Sequence, residues 1–225
     1  MPKLSDLWRR RADELRKSSD EKKLIEAEAF DKAAEELERY HGRRLKKQIT
    51  LQEGKDMKRI YLIWGGLLGF DGYLTSAGMT GLGSQLAKYG PVKSYMQSSI
   101  MNCVNDIYKE CAKEDICILG GYSGGGVQAI RAAVFLAQKR SPQDIHLFIN
   151  IDSSPRYNLN KPDTLPRKNV KKILNIYNPS ASMLGGGYIG SPGIAHDDYP
   201  LRIGHLSFQF NQQVRDIIES KVKGL

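Results

Sequence analysis

Ser123 sits in a glycine cluster, Gly121-Tyr122-Ser123-Gly124-Gly125-Gly126. The bare spacing G-x-S-x-G says little. Its setting says more, because the apolar run Asp115–Leu119 ends just before it and an amphipathic segment begins just after. Such a turn is too tight for side chains beside the serine. It lifts the hydroxyl above the carboxyl edge of a sheet, next to a helix N-terminus whose free N–H groups can stabilise an anion. A serine hydroxyl needs a base to take its proton. The chain has four histidines, His41, His146, His196 and His205. His41 lies in the N-terminal segment. His146 begins a strand and so lies at the amino edge, opposite Ser123. His196 and His205 remain. An orienting carboxylate must reach the other imidazole nitrogen from the same edge. Asp152 ends the strand that follows the serine's own unit, at the correct edge, whereas Asp144 is at the wrong one. Asp197 and Asp198, beside His196, are the alternatives.

The elements that would position these groups run from residue 58. Short apolar runs of β character alternate with helical ones. Arg59–Trp64 reads as a buried strand ending at Gly65-Gly66, Leu82–Tyr89 as a helix and Pro91–Gln97 as a weak strand. Ile100–Lys113 is predicted as a helix with Ile100, Val104, Ile107, Tyr108 and Cys111 on one face. A helix is predicted from about Val127 to Lys139, strands over Ile145–Ile151 and Val170–Tyr177, and a closing helix over Gln212–Lys221. Continuous apolar strands alternating with helices imply a three-layer α/β domain with a mainly parallel sheet covered on both faces.

Residues 1–55 read as a separate N-terminal helical extension, and 56–225 as the α/β domain. The extension is rich in Ala, Glu, Lys, Arg and Leu and has no glycine before Gly42. Ser18 and Glu21 fit a capping box. Ala27, Phe30, Ala34, Leu37 and His41 then recur at helical spacing, with Leu24 and Tyr40 beside them, on a helix expected to reach about Lys47. The stripe is narrow, so it is expected to pack on the domain, on a second copy or on a partner protein. Residues 52–56 read as a linker.

Composition bounds the rest. With 225 residues, 40% of them hydrophobic and 26% charged, the chain suits one globular domain with an appendage and excludes disorder throughout. No apolar run approaches the roughly 20 residues of a membrane span, and no apolar stretch follows the basic N-terminus as in a secretory signal. The net charge of +9 is spread, +4 over residues 1–59 and +5 over 60–225, with Arg9-Arg10-Arg11 and Arg43-Arg44 among acids. That is not the basic stripe of a nucleic-acid protein. Cys103, Cys111 and Cys117 form neither a CxxC pair nor a Cys/His ligand set. A reduced, cytoplasmic setting follows, with no metal and no cofactor expected.

A rival pattern overlaps the serine turn. Gly124-x-Gly126-x-x-Ala129 fits a dinucleotide phosphate loop, with Asp152 placed as a ribose-binding acid. That fingerprint normally opens its domain, and here at least two βα units precede it. It also leaves Ser123 unexplained.

Residues 58–225 resemble the α/β-hydrolase superfamily. The first strand's exit, Gly65-Gly66-Leu67-Leu68-Gly69-Phe70-Asp71, is similar to the H-G-L-x-G-F-D oxyanion segment of bacterial lipases, with Gly65 where those enzymes have histidine. The resemblance implies an oxyanion hole made by the backbone N–H groups of Leu67 and Gly124. Both remaining histidines fit the superfamily's Ser–acid–His order. Gly204-His205-Leu206-Ser207-Phe208 is similar to the segment that carries its histidine shortly before the final helix, which favours His205 over His196. In most of the superfamily the acid follows the next strand, which here ends at Asn178-Pro179 without one. Some of its lipases and thioesterases carry the acid one strand earlier, matching Asp152. The implied triad is Ser123, His205 and Asp152, acting on a carboxylic ester or thioester.

Two insertions remain, Ser153–Asn169 and Ala181–Tyr199. The second, with Met183, Leu184, Tyr188 and Ile189 among glycines, reads as a flexible apolar lip. With Phe70 and Tyr73 it suggests an uncharged or acyl substrate. The competing class is a non-catalytic α/β domain, either nucleotide-binding or an adaptor built on the N-terminal helix.

Overall fold

A computed structural model describes residues 4–17, 28, 31–32, 35, 57–65, 73–139, 143–154, 165–166, 168–180 and 185–225. Six strands form one sheet: β1 (Lys58–Trp64), β2 (Val92–Met96), β3 (Ile116–Tyr122), β4 (Leu147–Ile151), β5 (Lys172–Tyr177) and β6 (Ala195–Pro200). Their order is β2-β1-β3-β4-β5-β6, and every pair is parallel. Helix α1 (Leu4–Arg16) precedes the sheet. Helix α2 (Tyr73–Leu86) links β1 to β2, α3 (Ile100–Glu110) links β2 to β3, α4 (Gly124–Ala137) links β3 to β4, and α5 (Gln212–Lys223) closes the chain.

The two faces of the strands account for the layers. Ile60 and Leu62 pack with Met79, Leu82, Val214 and Ile218, so α2 and α5 cover one face. Tyr61 and Ile63 pack with Val104, Ile107, Val127 and Ile130, so α3 and α4 cover the other. The chain steps from β1 one way to β2, then crosses back to β3. Right-handed crossovers in opposite directions put their helices on opposite faces. The reversal falls between β1 and β3, the place in open α/β sheets where ligands commonly bind beyond the carboxyl ends of the strands.

Three expectations change. Helix α2 starts at Tyr73 rather than near Leu82. Gly78, Gly81 and Gly83 hide it from propensity. Packing requires one of them, since a Cβ on Gly78 would lie 2.4 Å from Cβ of Gln209. Helix α3 stops at Glu110, and Tyr108 faces outward, 44% exposed, while Cys103 joins Val104 and Ile107 inside. The expected flexible lip is also overturned over its described part. Ile189 is fully buried in the core, and Ala195–Pro200 is the sixth strand. Alternating exposed and half-buried positions on that strand, with His196, Asp197 and Asp198 in it, masked it in the sequence.

In the N-terminal segment, Arg16 of α1 pairs with Asp31, and residues 28, 31, 32 and 35 are helical. Ser18, Glu21, Ala27, Phe30, Ala34, Leu37, His41 and the linker 52–56 lie outside the described residues, as do Leu67 and Phe70. No helix among the described residues is long and apolar enough to cross a membrane. The three cysteines are free and buried.

Candidate active site

Strand β3 ends at Tyr122 and α4 begins at Gly124, leaving one residue for the turn. The helix start folds back so tightly that a Cβ on Gly121 would lie 2.4 Å from the Gly125 carbonyl oxygen. Ser123 takes φ 55° and ψ −127°. A β-carbon is strained there by about 1–3 kcal/mol. The turn is held by the Ser123 N–H donating to the Ile151 carbonyl at 3.1 Å and the Gly126 N–H donating to the Ser123 carbonyl at 3.1 Å. Among the described residues, the non-glycine residues with positive φ are Ser123 and Asp152. Both strained side chains lie at the same edge of the sheet.

That edge brings three groups into line. His205 opens a short 3₁₀ turn, His205–Phe210, after β6. Its Nε2 lies 2.9 Å from Ser123 Oγ, and its Nδ1 lies 2.6 Å from Asp152 Oδ2. Asp152 is fully buried, with Ser123 6% and His205 9% exposed. The other carboxylate oxygen, Oδ1, accepts the backbone N–H groups of Asn178 at 2.9 Å and Gly186 at 2.8 Å. Those bonds fix the carboxylate's plane, and its remaining lone pairs aim at the imidazole. A carboxylate bonded to Nδ1–H leaves Nε2 as the nitrogen that takes the serine proton. The Gly124 N–H, first of α4, has no helical turn before it to accept its bond, so it is open to an anion beside Ser123.

The sequence reading did not include the supports of this line. Tyr122 is fully buried; its hydroxyl donates to the His205 carbonyl at 2.6 Å, and its ring stacks on the imidazole at 5.1 Å between centroids. Burial, with the nearby Asp152 charge, pushes the Tyr122 phenol well above its ordinary value, which keeps it a donor. Asn150 and Asn175 sit side by side in register on β4 and β5, both fully buried. Asn150 Nδ2 donates to Asn175 Oδ1 at 3.0 Å and to the Gly187 carbonyl at 2.7 Å. Asn175 accepts the Ile189 N–H at 3.2 Å and donates to the Ile189 carbonyl at 3.0 Å. Ser153 Oγ donates to Asn150 Oδ1. The amides bind the 185–190 segment to the sheet, and that segment delivers the Gly186 N–H to Asp152. Two asparagines inside otherwise apolar strands were the available signal, because a buried amide is costly unless it is bonded.

The alternative residues are elsewhere. His196 pairs with Ile173 near the start of β5 and β6, toward the amino edge, and its Nε2 lies 3.1 Å from the Ser191 carbonyl. Asp197 pairs with Lys172 at 2.7 Å and Lys221 at 3.0 Å. Those partners hold its carboxyl below the usual range against the opposing effect of burial. Asp198 accepts from Asn175 Nδ2 at 2.9 Å. None of the three meets Ser123 or His205. His146 Nδ1 accepts the Cys117 N–H at 3.1 Å at the amino edge. In the rival phosphate loop, the Gly126 N–H is engaged by Ser123 and the Asp152 carboxylate by three partners, so neither is open to a nucleotide.

A cleft of about 520 Å³ opens at the ends of β1 and β2, with Trp64, Met96, Ser99, Asn102 and Asp106 on its walls. None of Ser123, Asp152 and His205 lines it. Comparison of the chain with protein-family models, and with curated proteins, found no match. Function is therefore read from the site itself.

Proposed function

We propose that this protein is a serine hydrolase of the α/β-hydrolase type, cleaving a carboxylic ester or thioester through an acyl-enzyme. The observation that carries the reading is the unbroken line from Ser123 Oγ through both nitrogens of His205 to Asp152, at 2.9 and 2.6 Å. In this reading Ser123 attacks the carbonyl carbon as His205 Nε2 takes the hydroxyl proton. The Gly124 N–H, with that of Leu67, receives the oxyanion. His205 then protonates the leaving alcohol or thiol. Water, deprotonated by the same nitrogen, attacks the acyl-enzyme and releases the acid. Asp152 keeps its charge and stabilises the imidazolium throughout. The six-stranded parallel sheet supports the reading by gathering the ends of β3, β4 and β6 at one edge.

The test is a fluorophosphonate probe followed by peptide mapping, together with turnover of p-nitrophenyl acetate. Ser123 is expected to be labelled. Ser123→Ala and His205→Ala are each expected to lower kcat by about 10⁴-fold or more, and the double variant to be little worse than either. His196→Ala should retain activity within about twofold, because its ring is engaged at the other edge. Absence of labelling in the folded wild type, or loss of turnover in His196→Ala with His205→Ala unaffected, would end the proposal.

A further inference from the structure

The cleft at the ends of β1 and β2 has a polar lining that the triad does not use. Ser94 and Met96 of β2 line it, with Ser99 before α3 and Asn102, Asn105 and Asp106 on α3. Spacings of three and four put the last three on one helical face. Ser94, Asn102 and Asn105 are exposed and Ser99 is half-buried. None of these four side chains makes a hydrogen bond among the described residues, so each keeps donors and acceptors for a ligand. A hydrocarbon chain laid there would strip their water and replace none of it. Nor does the cleft call for an ion. Lys93 pairs with Asp106 at 2.9 Å and Glu110 at 2.6 Å, which leaves Lys109 as the one further charge on its wall. Its apolar surface is concentrated in Trp64 and Met96. Amides and hydroxyls around an indole suit a neutral polyol, above all a sugar ring, whose hydroxyls pair with the amides while its C–H face packs on the indole.

The cleft also lies within reach of Ser123. Met96 pairs in register with Trp64, and Trp64 with Tyr122, the residue before the serine. Neighbouring strands lie about 4.8 Å apart, so Trp64 stands one strand from the serine's turn and Met96 two, a span of about 10 Å. Gly65, directly after Trp64, packs on the turn itself, since a Cβ on it would lie 2.6 Å from the Gly124 nitrogen. A ring held against Trp64 thus has its substituents one strand away from Ser123.

We propose that the substrate of the hydrolase proposed above, on which this inference rests, is an ester of a sugar or other neutral polyol, and that this cleft holds the polyol. A polyol is esterified through one of its own oxygens, so it is the leaving group. When the tetrahedral intermediate collapses, the bond between the acyl carbon and that oxygen breaks, and the oxygen takes the proton from His205 Nε2. The polyol departs from the cleft, and the acyl group stays on Ser123 until water releases it as the acid. Asn102 and Asn105 bond hydroxyls remote from the scissile bond, so they select the substrate and take no part in proton transfer. These bonds are open to water, so losing one should cost about 3–10-fold in kcat/KM for such an ester, and losing both about 10–100-fold.

The experiment compares methyl 6-O-acetyl-α-D-glucopyranoside with hexyl acetate, which lacks the hydroxyls, by titration of the acetic acid released. Wild type should favour the sugar ester by about 10–100-fold in kcat/KM. Asn102→Ala/Asn105→Ala should lose that preference, through KM more than kcat. Both asparagines are exposed, so thermal melting should be little changed. Met101→Gln, exposed on the same helix but outside the cleft, should keep the preference. A wild type that is labelled at Ser123 but cleaves the two esters within threefold of each other, or hexyl acetate faster, overturns the role of the cleft and leaves the triad standing. A sugar preference that survives in Asn102→Ala/Asn105→Ala does the same. A wild type whose Ser123 is not labelled overturns both.

Discussion

Adding one methyl group at Gly185 tests the acid–base contact more sharply than deleting either partner. A Cβ there would lie 2.1 Å from Asp152 Oδ2 and 2.3 Å from His205 Nδ1. Non-bonded contacts to carbon settle near 3.5 Å, so each atom must retreat by about 1.2–1.4 Å. The two share a hydrogen bond of 2.6 Å, which cannot survive that retreat. Gly185 is not in the left-handed region, so alanine strains no backbone dihedral and the effect is purely steric. A misplacement of about 1 Å costs about 10²-fold, and losing the orienting function of the acid in serine proteases costs about 10⁴-fold. Gly185→Ala should therefore lower kcat by about 10²–10⁴-fold, or about 2.7–5.4 kcal/mol at 1.36 kcal/mol per tenfold. The assay is kcat on p-nitrophenyl acetate, with melting measured on the same preparation. A variant that melts normally and keeps turnover within threefold of wild type would refute the reasoning.

Other perturbations separate stability from chemistry. Asn175→Leu strands the Ile189 N–H and carbonyl and one donor of Asn150; at about 1–3 kcal/mol for each stranded buried group, partly relieved by relaxation, a loss of about 2–4 kcal/mol is expected. Differential scanning calorimetry should then show Tm lower by about 5–15 °C, and an unchanged Tm would refute the role given to that amide. Glu219 joins α5 to α2. Hydrogen bonds from Lys88, Gln85 and Tyr89 hold its carboxyl at about 2, below its ordinary 4.5. A depressed carboxyl stabilises the fold above its unfolded value and ceases to do so as pH falls through the folded one. Glu219→Gln should melt below wild type at neutral pH, and the gap should close between about pH 5 and pH 2. A gap independent of pH would show that the hydrogen bonds act without the charge.

The tight turn at Ser123 was legible because few residue types satisfy it. Small residues around Ser123, an apolar strand before it and a helix after it leave little else for that segment to form. Asp152 and His146 could be assigned to opposite edges from strand ends alone, and the structure places them so. What was hidden depends on contacts between distant segments. Glycines in α2 lower its helix propensity, yet Gly78 is what lets the helix approach Gln209 on the turn that carries His205. Strand β6 lacks an apolar alternation because it lies at the sheet edge and its carboxylates pair with Lys172, Lys221 and Asn175. The donors to Asp152 are backbone groups of Asn178 and Gly186, and a backbone N–H carries no mark in a sequence.

Tyr122 and Ser123 are consecutive residues, and the Tyr122 hydroxyl holds the His205 carbonyl while its ring supports the imidazole. Ser123 and His205 are therefore anchored to one strand end, whereas Asp152 is steadied by donors from two other segments, at 178 and 186. If the two anchorages loosen separately on warming, the serine–imidazole alignment should outlast the imidazole–carboxylate one, and activity should be lost in two stages, read by turnover and melting on the same preparation. The first removes most of the rate while the sheet is intact and reverses on cooling. The second is the melt itself.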